Sequence, residues 1–277
     1  MKAYQITGHA PSFLPSEKNW KLIWADEFDG TALDTDKWGF RTKFWGHDFQ
    51  TFTTQGVELD GSSNLKIHLL EQDGQYYSAQ LQTGANTFDS LRKPKTNPWG
   101  ETSFWPLAPL EKPKFMHKYG YYEIRCKLPK QPGWWCAFWL QAPGIGTTYD
   151  PAKSGVEVDI MENFSRDGEV TSGNIFGGYG ENYQSEARVR YHVEETEDGY
   201  HYFGVDWSKD GYTFYCDGKQ TAHSDGPVSE VEQFILVTTE CKGYRKGDYK
   251  TPSEELKQAV LPDCFTVDFV RVFDQVE

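Results

Sequence analysis

The sequence predicts an all-β sandwich in one domain, and three observations carry that prediction. Short alternating stretches bounded by Gly, Pro, Asn and Asp recur along the chain, no long helical period interrupts them, and 277 residues at 38% hydrophobic and 16% aromatic can bury a full core. Antiparallel strands around a single core close as a sandwich or a barrel. The domain is assigned residues 1–277, with 1–18 as an N-terminal extension of irregular structure.

Taken in order, residues 65–69 (Leu-Lys-Ile-His-Leu) and 119–125 (Tyr-Gly-Tyr-Tyr-Glu-Ile-Arg) alternate as half-buried strands do. Residues 86–113, rich in Pro and Trp, are long for a loop in a compact domain, which marks a functional or elaborated rim. In the stretch Trp134-Trp135-Cys136-Ala137-Phe138-Trp139, alternation sends Trp135, Ala137 and Trp139 to one face and Trp134, Cys136 and Phe138 to the other. Residues 212–219 form a hairpin turning at Asp217-Gly218, a strong two-residue turn signal. Ser253 to Val260 is predicted as one short helix, capped by Ser253 with Glu254 and Glu255 in its first turn.

The charge balance excludes several functions. A net charge of −13 argues against nucleic acid, whose phosphates require clustered Lys and Arg. No apolar run approaches 18 residues, so no membrane span is expected. Met1-Lys2-Ala3-Tyr4-Gln5 leads into Pro and Ser rather than an apolar export segment, giving a cytoplasmic expectation for the chain as it stands, or secreted or periplasmic if a leader has been removed. The five cysteines (126, 136, 216, 241 and 264) are odd in number and contain no Cys-x-x-Cys pair, so they read as buried free thiols. The seven scattered histidines offer no metal motif, no cofactor is expected for catalysis, and the chain is expected to be a monomer.

Chemistry concentrates in Glu157-Val158-Asp159-Ile160-Met161-Glu162. In a strand, Val156, Val158 and Ile160 face the core while Glu157 and Asp159 face away. Glu162 has the wrong parity, unless a β-bulge near Met161 shifts the register, turns Met161 inward and brings Glu162 beside the other two acids. Two carboxyl groups about 5–5.5 Å apart serve retaining glycosidases, one as nucleophile and the other as acid/base. An indole-bearing strand next to such a strand supplies faces on which sugar rings stack.

Five segments in the same order, 24–30 (Trp-Ala-Asp-Glu-Phe-Asp-Gly), 119–123, 135–140, 157–162 and 203–207 (Phe-Gly-Val-Asp-Trp), resemble glycoside hydrolase family 16 over nearly the whole chain. The Glu-x-Asp-x-x-Glu spacing is similar to the bulged form of laminarinases, agarases and carrageenases. This resemblance implies a β-jelly-roll sandwich with a concave cleft and retaining endo-hydrolysis of a β-linked polysaccharide. It also implies that Glu157 is the nucleophile, Asp159 the helper and Glu162 the acid/base, with Trp135 and Trp139 lining the cleft.

Residues 46–52 (Gly-His-Asp-Phe-Gln-Thr-Phe) stand where many laminarinases carry Asn-Glu-Leu-Gln-Tyr, making His47, Asp48 and Gln50 the candidates for reading substrate hydroxyls. A His common after the catalytic strand is missing from residues 172–179, where Asn174 is a further substrate-binding candidate. Glu27 and Asp268 resemble the family's structural calcium site. Few basic residues lie in the cleft segments, so a neutral polymer is expected, β-1,3-glucan ahead of a β-galactan of the agarase type. A lectin-like binder on the same fold is the alternative class, and transglycosylation would use the same residues.

Overall fold

The structure, a computed structural model, describes residues 1–44, 46–87, 89, 94–96, 102–104, 112–164, 167–245 and 250–277. Besides two-residue strands at Gly39–Phe40 and Phe52–Thr53, fifteen strands build its two main sheets among the described residues. In chain order they are β1 (Asn19–Asp26), β2 (Val57–Leu59), β3 (Leu65–His68), β4 (Leu70–Gln72), β5 (Gln75–Gln82), β6 (Gly120–Lys127), β7 (Trp134–Gln141) and β8 (Glu157–Asn163). There follow β9 (Glu169–Phe176), β10 (Gln184–His192), β11 (His201–Ser208), β12 (Gly211–Cys216), β13 (Lys219–Ser224), β14 (Phe234–Cys241) and β15 (Cys264–Val276).

One sheet runs β4-β5-β14-β7-β8-β9-β10 and the other β13-β12-β11-β6-β15-β3-β2, with β1 also on β15. Their inner faces supply the core, including Leu65, Tyr122, Phe138, Val158, Phe203, Val237 and Val270, all fully buried. Truncating one such aromatic to Ala costs about 3–5 kcal/mol. Strand β14 is buried along its whole length, which is why its sequence, FILVTTEC, opens on a continuous apolar run instead of alternating. Strand β10 lies at the sheet edge, where charged side chains discourage further pairing.

The N-terminal stretch is more ordered than its sequence suggests. Lys2–Tyr4 and Ser12–Leu14 pair as a small antiparallel ribbon. Its anchor is a fully buried cross-strand pair, Glu123 on β6 and Arg271 on β15. Glu123 Oε1 accepts from the Phe13 N–H at 3.0 Å, and Arg271 Nη1 donates to Ser12 Oγ and to the Ala10 carbonyl, both at 2.9 Å. Buried polar groups need partners, and this segment provides one for Glu123 Oε1 and two for Arg271.

The hairpin at Asp217-Gly218 forms as expected between β12 and β13. The helix expected at 253–260 shrinks to one 3₁₀ turn, Leu256–Gln258, and the Ser253 hydroxyl accepts from the Leu256 N–H at 3.1 Å. A one-turn α-helix, Pro151–Ser154, was not expected, although Asp150 caps it and Pro occupies its first turn. All five cysteines are free thiols; Cys126, Cys136, Cys216 and Cys241 are buried and Cys264 is partly exposed. Among the described residues, no helix is long and apolar enough to cross a membrane.

Candidate active site

The register of β8 is what assembles the site. Against β7, Trp139 pairs with Asp159 and Phe138 with Met161, so Ile160 is an extra residue; against β9, the ladder breaks between Asp159 and Glu162. Ile160 and Met161 are both fully buried, and Glu162 comes out on the same face as Glu157 and Asp159. The bulge falls where parity requires it.

One cavity on this face is lined by Glu157, Asp159 and Glu162 together with Trp135, Ala137, Trp139 and Gln141 of β7. The face assignment of the two indoles from alternation therefore holds. Trp139 Nε1 donates to Thr238 Oγ1 at 2.9 Å, while the Trp135 ring lies 5.5 Å from that of Phe164.

Burial pushes the Glu157 carboxyl above its ordinary value; Tyr179 opposes this through its hydroxyl, Glu162 adds to it by repulsion, and Arg41 and the Gln141 amide oppose it. Tyr179 donates to Glu157 Oε2, and Gln141 Nε2 donates to the same oxygen at 3.0 Å. Asp159 is raised well above its usual range by burial, then by the neighbouring Glu162 and Glu157. Glu162 is also raised by burial, against the opposing charges of Arg188 and Arg245. Arg188 Nη1 donates to Asp159 Oδ2 at 2.6 Å and its Nη2 to Glu162 Oε2 at 3.0 Å. Burial and mutual repulsion thus hold protons on this cluster more tightly than on ordinary carboxylates, against the charges of Arg41, Arg188 and Arg245, as general acid catalysis requires.

Several expectations need correction. Asp48 and Gln50 are exposed and do not line the cavity; the same part of the chain contributes Arg41 and Phe44 instead. His47 lies in a short strand pairing with Lys43–Phe44, and its side chain is outside the described residues. Much of the loop from 86 to 113 is likewise outside them, though Asn86 and Asp89 line the cavity. Asn174 is not in the cleft: it pairs with core-facing Val158 and is 1% exposed, so the same alternation that turns Thr171 toward Glu162 sends Asn174 inward.

The cleft is also richer in basic groups than its strand sequences suggested. Arg41, Arg188 and Arg245 all converge on it, each already paired: Arg41 with Asp89 at 2.5 Å, Arg245 with Glu240, and Arg188 with the catalytic candidates. Of the side chains missed, Gln141 has the parity of Trp135 and was legible; Glu240 lies opposite Trp135 on β14, whose apolar run hides its facing, and Arg41, Tyr179 and Arg245 arrive from loops, where no periodicity reveals direction.

Glu27 and Asp268 do not fit a calcium ion. Both Glu27 oxygens accept from Arg271, at 2.8 and 2.7 Å, and Asp268 accepts from Arg125 at 2.6 Å, so guanidinium groups already hold these carboxylates. Among the described residues no group of three or more His, Cys, Asp or Glu side chains is placed to hold a metal. Calcium sites need six to eight oxygen ligands.

Comparison with known proteins places these observations. The family described as Glycosyl hydrolases family 16 matches residues 102–234, which include the indole and carboxylate strands. The chain is 29% identical to "Glucan endo-1,3-beta-glucosidase A1" of Niallia circulans over 94% of its own length, but spans only 39% of that relative. It is 23% identical to "Beta-glucanase" of Rhodothermus marinus, covering 94% of this chain and 87% of that protein. The catalytic domain of an endo-1,3-beta-glucanase (laminarinase) from Thermotoga petrophila RKU-1 shares the fold at a TM-score of 0.67 and 23% identity, over 94% of this chain and all of that one. The bulged carboxylate strand and the two cleft indoles thus lie within a match to Glycosyl hydrolases family 16, on a jelly-roll sandwich shared with the laminarinase catalytic domain.

Proposed function

We propose that this protein is a retaining endo-β-glycosidase whose substrate is a β-1,3-glucan. The observation that carries the reading is the β8 bulge, which gathers Glu157, Asp159 and Glu162 in one cavity with Trp135 and Trp139. The names of the Niallia circulans and Thermotoga petrophila proteins support the choice of glucan. In the first step the Glu157 carboxylate attacks the anomeric carbon while Glu162 gives its proton to the departing glycosidic oxygen. In the second, Glu162 takes a proton from water, whose oxygen displaces Glu157 from the same carbon. Asp159, flanked by both, shares their titration and keeps one proton within the group.

Charge supports a neutral polymer. Arg41, Arg188 and Arg245 are each held by carboxylates of the cleft, Asp89, Asp159 with Glu162, and Glu240 respectively. A densely sulfated chain would have to compete with these carboxylates for the guanidiniums. Incubation with laminarin, lichenan, agarose and a β-galactan, followed by sizing of the products, tests the reading: short oligosaccharides from laminarin are expected. Intact laminarin beside a degraded galactan would overturn the substrate, and binding without cleavage of any polymer would overturn the hydrolase.

A further inference from the structure

Arg188 reaches the site by an unusual route. It lies on β10, two strands away from β8, where the ladder with β9 breaks: Ser172 pairs with Val189 and Asn174 with Glu186, so Ala187 and Arg188 together face Gly173. Ala187 has φ 51°, a left-handed conformation that costs a non-glycine residue about 1–2 kcal/mol. Gly173 is the matching concession, since a Cβ there would lie 2.6 Å from Arg188 Cδ and 2.9 Å from its Cα. Two departures from regular strand structure thus serve to carry one guanidinium over the sheet. Backbone strain of this kind collects at functional sites.

We propose that Arg188 is a positioning residue of this active site, a single guanidinium that ties Asp159 to Glu162 and fixes which oxygen of Glu162 carries the catalytic proton. The proposal rests on the hydrolase reading above. A guanidinium only donates, so Glu162 Oε2, which accepts from Nη2, stays unprotonated and the proton resides on Oε1. The acid is thereby oriented before substrate arrives. The same cation limits how many protons the three carboxylates hold. Other groups bear on the cluster: Glu157 on the same strand, Arg245 with its partner Glu240, Arg41 with Asp89, and the Tyr179 hydroxyl. Tyr183 faces Arg188 itself. Of the three arginines, only Arg188 donates a hydrogen bond to Asp159 or Glu162 among the described residues.

The test compares Arg188→Met and Arg188→Lys with the parent on laminarin and on an activated aryl β-glucoside. Removing the cation raises the carboxyl pKa values, so both limbs of the kcat/KM profile of Arg188→Met should move up by about one pH unit, with kcat on laminarin falling more than on the aryl glucoside and KM little changed. Arg188→Lys should restore the parent pH limbs, because it keeps the charge. Superimposable profiles for the parent and Arg188→Met would overturn the proposal. Titration of ¹³C-labelled Asp and Glu carboxyls gives a readout independent of turnover: two resonances should titrate higher in Arg188→Met and return in Arg188→Lys. If the parent cleaves no polymer, the hydrolase reading fails, and the carboxyl titration alone upholds or overturns the Arg188 tie.

Discussion

Glu157 must be ionised in surroundings that resist ionisation. Burial raises its carboxyl, and Tyr179 and Gln141 answer by donating to Oε2. Replacing Tyr179 with Phe removes one donor to a charged group, about 1.5–3 kcal/mol, so kcat/KM near neutrality should fall at least about tenfold. The acid limb of the profile should also move to higher pH, since the nucleophile then holds its proton longer; an unmoved limb would show that the hydroxyl does not set it. Glu162→Gln should lower hydrolysis of laminarin by about 10²–10⁴-fold yet spare the first step with activated aryl glycosides, which need little protonation. Equal losses on both substrates would remove Glu162 from the acid role. The three acids were legible because strand parity and a single bulge suffice to place them. Tyr179 was not, because it belongs to the turn after β9, and Asn174 misled because a family likeness in its segment took no account of its inward parity.

The elements that carry the site depend on how β8 begins. Gly155 ends the one-turn helix Pro151–Ser154 with φ 92° and sits two residues before Glu157; a Cβ there would lie 2.3 Å from the Ala142 Cβ. Gly155→Ala should therefore cost about 2–4 kcal/mol in urea unfolding through backbone strain and overpacking, and should lower kcat by displacing the start of β8. Parent-like stability and activity would mean that the entry tolerates a side chain. At this scale the sequence was most informative where one face is apolar: β7 alternates throughout and β8 as far as Asp159, so the facing of Trp135, Trp139, Glu157 and Asp159 followed from parity alone. It was least informative where tertiary partners decide. The N-terminal ribbon forms because buried Glu123 and Arg271 need its backbone and Ser12, and at Leu256 the chain is held by packing against Trp134 and Tyr244, with Ala259 and Leu261 beside it outside the helical turn.

For the whole molecule, stability should carry the mark of Glu123. Burial pushes this carboxyl from 4.5 to about 7, against the bonds from Ser12 and Phe13 and the charge of Arg271. Between those two values the folded protein keeps a proton that the unfolded chain has lost, so stability is fullest below the unfolded value and declines as pH rises to about 7. Glu123→Gln should flatten that decline, a difference of up to about 3 kcal/mol by pH 7, measured as urea midpoints across the range. Identical pH dependence in the variant and the parent would place the titrating group elsewhere. Function at this scale reduces to one question, whether Glu157 and Glu162 act together from opposite sides of a glycosidic bond without an intervening water. Proton NMR during the first minutes of laminarin digestion answers it most directly. The new reducing ends should appear first as the β-anomer and only later mutarotate; an initial α-anomer would contradict the retaining pair on which this account stands.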